Sequence, residues 1–96
     1  MSGLVFEWNA RKAASNLRKH GVSFDEALAA FADPLAAIHY DPYHSEDEHR
    51  EILVGHSSSG RLLIISFTEL AKSVRIISAR RVTRRERDDY EANVKK

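Results

Sequence analysis

The stretch from Ser73 to Arg87, SVRIISARRVTRRER, reads as a strand, a corner and the start of a helix. Val74, Ile76 and Ile77 predict a covered strand, because β-branched side chains suit a pleated surface. Arg75 and Arg80 interrupt that apolar run, and a guanidinium in a covered strand is costly unless it is partnered. Thr83 and Glu86 have the spacing of a capping box, in which hydroxyl and carboxylate each bond the other's backbone N–H. The strand therefore ends in Arg80 and Arg81, and a helix opens with Arg84, Arg85 and Arg87. The planar guanidinium fork grips phosphate oxygens in pairs, which an ammonium group does not. The corner thus predicts phosphate or nucleic-acid binding. A solvated basic face paired with acidic neighbours is the plainer alternative.

The rest of the chain supplies a scaffold for that corner. Ninety-six residues are expected to form one domain, residues 1–96, with a core large enough to fold without staples. Without cysteine there is no disulfide framework and no thiolate metal site. No stretch has the length of a signal sequence or membrane span, so a cytoplasmic protein with no membrane association is expected. The net charge of +1 hides an asymmetry, since residues 1–60 sum to −4 and residues 61–96 to +5. That division argues against a protein that coats DNA with a uniformly basic surface.

Upstream, Leu4, Phe6 and Trp8 alternate as one face of a short strand, and Asn9 is placed to cap a helix. The helix predicted over residues 11–20 has an apolar stripe of Ala13, Ala14 and Leu17, and Gly21 stops it. Ser23 and Glu26 repeat the capping-box spacing. Phe24, Ala27, Leu28 and Phe31 follow at helical spacing until Asp33-Pro34 ends the second helix. Strands are predicted over residues 35–40, 50–56, 61–68 and 73–80, with Ser57-Ser58-Ser59-Gly60 as a hairpin turn. The last helix, from Arg84 to about Asn93, has few apolar residues beyond Tyr90 and Val94. The sum is a small α+β domain: an antiparallel sheet of about four to five strands, two N-terminal helices and one C-terminal helix.

Several residues carry chemistry besides the corner. Glu48 and Arg50 have the same parity at a strand entrance, so they point to one face of the sheet. If Arg75 shares that face, a carboxylate and two guanidinium groups converge there; an ion-pair cluster is the bland alternative. The loop over residues 41–48, DPYHSEDE, with His49, mixes imidazole and carboxylate but matches no metal motif, so no metal and no cofactor are expected. Lys19 and His20 stand at a helix elbow, where they either reach a phosphate or simply complement the helix C-terminus. Phe6 and Trp8 read as core, and Tyr90 as packing unless its ring or hydroxyl faces RNA.

The pattern Phe6-x-Trp8, Lys12, Asn16, Lys19-His20-Gly21-Val22, Phe24, Glu26-Ala27, Asp33, Glu48-x-Arg50, Gly55, Arg75-Ile76-Ile77-Ser78-Ala79-Arg80, Glu86 and Tyr90 resembles the BrnT toxins of bacterial type II toxin–antitoxin systems. The resemblance spans nearly the whole chain. The KHGV elbow and the RIISAR strand are its most specific parts. Asn9 stands where the family usually has Asp, His49 where an acidic residue is common, and Glu51 where an apolar or aromatic one is usual. The resemblance implies a RelE-like ribonuclease fold and an RNA-cleaving toxin that blocks translation. It implies a BrnA-like antitoxin of the ribbon-helix-helix type, assembled with the toxin as a heterotetramer that reaches operator DNA only through the antitoxin. Metal-free RNA cleavage would use Glu48 as base and Arg50, Arg75 and Arg80 on the phosphate, with His49 or Tyr90 as weaker candidates for proton transfer. Lys19, His20, Lys72 and Arg81 are expected along the RNA, and Arg84, Arg85 and Tyr90 against the antitoxin. A non-catalytic module that holds an acidic protein or nucleic acid is the rival.

Overall fold

A computed structural model of the chain describes residues 5–40 and 49–94. In chain order the elements are β1 (Phe6–Glu7), α1 (Ala10–His20), α2 (Phe24–Ala27), a 3-10 helix (Leu28–Ala32), β2 (Ala37–Tyr40), β3 (Glu51–His56), β4 (Leu62–Glu69), β5 (Val74–Arg81) and α3 (Arg84–Val94). The five strands form one sheet in the order β1-β5-β4-β3-β2. Three of its pairings are antiparallel, as expected for strands joined by short turns, but β1 lies parallel to β5. The parallel pair arises because β1, first in sequence, reaches the sheet's outer edge beside its last strand rather than a sequence neighbour.

The sheet is covered unequally. One face packs against α1, α2 and the 3-10 helix. Val22, Phe24, Ala27 and Ala30 there meet Leu53, Leu63, Ile65, Phe67, Val74, Ile76 and Ala79. Phe31 joins this core between Phe6 and Phe67, with ring centroids 4.8 and 5.1 Å away, the tilted and edge-to-face arrangement favoured by the ring quadrupoles. The other face carries a smaller cluster, in which Tyr90, Val82 and Val94 pack on Val54, Leu62, Ile52, Ile64 and Ala37. The narrow stripe of α3 covers only this part of the face.

Local signals are realised in detail. Asn9 Oδ1 accepts the Lys12 N–H at 3.0 Å, and Gly21 ends α1 at φ 68°, its N–H donating to the Leu17 carbonyl. The stripe expected on α1 is only partly right: Ala13 packs inward, whereas Leu17 is exposed and the most buried residue of the helix is Asn16. The second helix is also shorter than expected. After one α-helical turn it tightens into a 3-10 form, and it brings the Ala30 carbonyl so close to Gly55 that a Cβ there would sit 3.0 Å away. Asp33 then ends it. Its Oδ1 accepts the Leu35 N–H at 2.9 Å, so Leu35 and Ala36 belong to a turn and β2 starts two residues later than expected.

Only half of the first capping box forms. Ser23 Oγ accepts the Glu26 N–H at 3.0 Å, but the Glu26 carboxylate turns to the β3–β4 hairpin instead. There it accepts from Ser57 Oγ at 2.7 Å, from Ser59 Oγ and from Arg61 Nε at 2.9 Å. Arg61 also donates to the Gly21 carbonyl at 2.9 Å. The bond from Arg61, then those from the serines, outweighs burial and holds the Glu26 pKa at about 2.

Candidate functional site

The register of β5 decides where its arginines go. Ser66 pairs with Ser78, but Phe67 pairs with Ile76, which leaves Ile77 as a bulge. In a regular strand Arg75 and Arg80, five positions apart, would point to opposite faces. The extra residue puts both on one face. It also lets Val74, Ile76 and Ala79 all turn into the helix-side core. Arg50 precedes Glu51, which pairs with the core residue Phe67. Alternation therefore sends Arg50 to the same face as Ile52, Thr68 and Arg75. Thr68 lies opposite Arg75, is buried, and donates through Oγ1 to the His49 carbonyl. The open part of this face thus holds Arg50, Arg75 and Arg80 around the paired, half-buried Ser66 and Ser78. Composition gives no signal for the two serines; only strand pairing places them there.

Arg75 and Arg80 are each anchored by a carboxylate. Glu7 Oε2 accepts from Arg75 Nε at 3.1 Å and Glu7 Oε1 from Ser73 Oγ at 2.9 Å, and these bonds, the serine's first, lower the Glu7 pKa. Arg80 donates through both terminal nitrogens to the two Glu86 oxygens at 2.9 Å each, and through Nη1 to the Arg81 carbonyl at 3.2 Å. Glu86 meanwhile completes the capping box of α3, accepting the Thr83 N–H at 2.8 Å and donating its own N–H to Thr83 Oγ1 at 3.1 Å. Arg80, then the bonds at Thr83, holds the Glu86 pKa at about 2 despite partial burial. The Arg80 guanidinium and the first turn of α3 are therefore one hydrogen-bonded unit.

The other expected residues separate. Glu48 lies outside the described residues, as do residues 41–47 of the acidic loop. Arg81 pairs with the core residue Leu63, which aims it to the helix side of the sheet, away from Arg80. Lys72 is exposed in the β4–β5 turn, near Val5 and Leu70. Arg84 and Arg85 are exposed in the first turn of α3. Tyr90, expected against the antitoxin, is 8% exposed; its hydroxyl donates to the Leu35 carbonyl at 2.8 Å, and it packs beneath α3. Burial, with the nearby Asp33 charge, raises its pKa, which suits a structural hydroxyl. His49 stacks on Tyr40, with centroids 4.6 Å apart and planes at 25°. Tyr40 pairs with Glu51 on the helix-side face, so this imidazole is turned away from the arginine face.

A groove along the seam of α1 and β5 adjoins the arginine face. One end is an open cleft of about 350 Å³ lined by Glu7, Trp8, Asn9, Lys12, Arg75 and Ile77. The other is a shallower hollow of about 210 Å³, lined by Lys12, Asn16, Lys19, His20, Ile77 and Ser78. Lys19 and His20 thus come together with Ser78 and Lys12, which the sequence reading did not place in a site. The groove exists because β1 pairs with β5 only as far as Arg75, and beyond it Asn16 takes the place of a strand. Its Nδ2 donates to the Ala79 carbonyl at 2.7 Å and to the Val22 carbonyl at 2.9 Å, and its Oδ1 accepts the Ala79 N–H at 3.1 Å.

A half-open sheet face with three guanidinium groups, bordered by a basic groove, offers the paired donors that phosphate oxygens accept. Residues 8–86 match the family described as "Ribonuclease toxin, BrnT, of type II toxin-antitoxin system", and the chain belongs to this family. Among solved structures it is similar to the crystal structure of the Brucella abortus ribonuclease toxin BrnT. The TM-score is 0.61 at 20% identity, covering 88% of this chain and 100% of that one. At that identity the likeness shows a shared fold, in agreement with the α+β architecture. Comparison with curated proteins gave no match.

Proposed function

We propose that the chain is a metal-independent endoribonuclease that inhibits translation by cutting RNA at the open face of the sheet. The observation that carries this reading is the Ile77 bulge, which gathers Arg75 and Arg80 on the face of Arg50. In the reaction the ribose 2′-oxygen bonds to the adjacent phosphorus and the P–O5′ bond breaks. A base takes the 2′-hydroxyl proton and an acid returns one to the leaving 5′-oxygen. The products are a 2′,3′-cyclic phosphate and a 5′-hydroxyl end. Charge accumulates on the phosphorane oxygens, and guanidinium groups already held in place stabilise it without reorganisation. Glu7 holds Arg75 and Glu86 holds Arg80 in that way. Glu48, two residues before Arg50, is the assigned base. Lys19 and His20 track the RNA in the adjoining groove, with Lys72 and Arg81 at its periphery.

A BrnA-like antitoxin is the proposed partner, forming a heterotetramer that represses its own operon, with Arg84 and Arg85 as its contacts. Three arginines in the first turn of α3 oppose the helix dipole, which favours anions there. An acidic partner segment would relieve that repulsion.

The test is cleavage of a single-stranded RNA by purified protein in EDTA. The expected result is cleavage with cyclic phosphate ends, blocked when the 2′-hydroxyl at the scissile position is replaced by hydrogen. Loss of cleavage in EDTA with rescue by a divalent metal would refute the metal-free mechanism. Cleavage of the 2′-deoxy substrate would refute the nucleophile.

A further inference from the structure

The cleft at the junction of β1, α1 and β5 has features that phosphate steering does not require. Its wall includes Trp8, half-buried, with its ring edge-on to Phe24 at 5.8 Å. Lys12 and Arg75 supply cations, Glu7 an acceptor, and Ile77 an apolar surface. Asn9 spends its Oδ1 on the α1 cap, so its amide Nδ2 is the group left to donate. The first turn of α1 has no acidic residue, so its positive end is not neutralised from within the helix. The volume of about 350 Å³ sits at the low end of the roughly 300–1,000 Å³ typical of small-ligand sites. A duplex cannot enter such a space.

We propose that this cleft binds one unpaired nucleotide of the RNA substrate, its base against Trp8 and its phosphate on Lys12 and Arg75. Aromatic side chains hold single-stranded bases because every base offers a π face. The mixed donor and acceptor of Asn9 and Glu7 match a base edge rather than a bare anion. Arg75 also belongs to the open face, so a nucleotide seated here fixes which neighbouring phosphodiester lies over the arginines. The cleft would thereby select single-stranded substrate and set the register of the cut. The inference rests on the ribonuclease reading.

Trp8 is the chain's single tryptophan, so intrinsic fluorescence reports on this cleft. The experiment titrates the full chain with the four ribonucleoside 5′-monophosphates, with ribose 5-phosphate, and with 2′-deoxy oligonucleotides, which resist cleavage, as an unpaired tetranucleotide and as a longer, stably paired duplex. RNA cleavage and anisotropy of a labelled RNA are measured on the same preparation. Saturable quenching by mononucleotides and by the single strand, but not by the duplex or ribose 5-phosphate, is the expected result. Lys12→Ala, at an exposed helix position, should weaken the mononucleotide midpoint about tenfold, the loss of roughly one charge-assisted contact. Equal quenching by ribose 5-phosphate would overturn base recognition. An unchanged midpoint in Lys12→Ala would overturn the assigned phosphate contact. A chain that still binds and cleaves RNA with no response from Trp8 would overturn the cleft and leave the ribonuclease reading standing. Failure to bind or cleave any RNA would overturn both.

Discussion

The side-chain amide of Asn16 pairs with the backbone of Ala79 as a neighbouring strand would, donating to its carbonyl at 2.7 Å and accepting its N–H at 3.1 Å. A third bond, to the Val22 carbonyl, ties the α1–α2 elbow to the same point. Asn16→Ala would leave three buried backbone groups unsatisfied. The expected loss is about 3 kcal/mol, or roughly 15 °C in Tm for a domain of this size. Asn16→Asp keeps the acceptor but loses both donations, so it should be no better. Thermal melts measure the loss, and hydrogen exchange at the Ala79 amide locates it. An Asn16→Ala variant that melts like wild type would remove Asn16 from this role.

Gly55→Ala should be destabilising although its backbone angles are ordinary. The added methyl would lie 3.0 Å from the Ala30 carbonyl and 3.2 Å from the Ala36 Cβ. Forcing the 3-10 helix away from the sheet should cost about 1–3 kcal/mol, read as a lowered midpoint in urea with an unchanged slope.

Glu26 should make stability depend on acid. Its folded pKa of about 2 lies below its ordinary 4.5, so its contribution is complete above about pH 4.5 and disappears as pH falls toward 2. Glu86 shares that window, though its greater exposure reduces its effect. Glu26→Gln should cost on the order of 3 kcal/mol at neutral pH, with the gap from wild type closing in acid. Chemical denaturation of both proteins at pH 7, 4 and 2.5 tests the sign. A gap that stays constant over this range would refute it.

Arg80 carries a structural and a proposed catalytic role at once, and two variants separate them. Glu86→Gln removes the carboxylate charge and weakens the α3 cap while leaving the guanidinium in place. Arg80→Ala removes both roles. If Arg80 meets the scissile phosphate, Arg80→Ala should slow cleavage by about 10²–10³, beyond anything Glu86→Gln does at equal folded fraction. Arg80→Lys should rescue little, since an ammonium lacks the planar fork. Equal activity per folded molecule in all the variants would make Arg80 purely structural.

Arg84→Glu with Arg85→Glu should pull stability and partner binding in opposite directions. Acidic groups in the first turn suit the helix dipole, so the isolated toxin should gain roughly 0.5–1 kcal/mol at low salt. The antitoxin complex should weaken and lose salt dependence. An unchanged affinity at both low and high salt would exclude this surface.

What lay in the sequence by itself was much of what depends on near neighbours. The Asn9, Gly21 and Thr83–Glu86 caps, the Ser57–Gly60 turn and the succession of helices and strands along the chain are set by groups a few residues apart, because capping and alternation are local; the parallel pairing of β1 with β5 is not. The family pattern was legible for the same reason, as residue types at fixed spacing. Tertiary structure decided the destinations of the polar side chains. Glu26 left its capping box for Arg61, 35 positions away, because a buried carboxylate gains more from a guanidinium than from a single backbone N–H. Asn16 went inward while Leu17 stayed out, since an open strand edge needs hydrogen bonds that leucine lacks. Tyr90 turned into the interior because α3 has so little else to bury. The Ile77 bulge did most. Nothing in the RIISAR run announces it, since the pairing of β5 with β4 is a long-range choice, yet that one extra residue determines which arginines share a face.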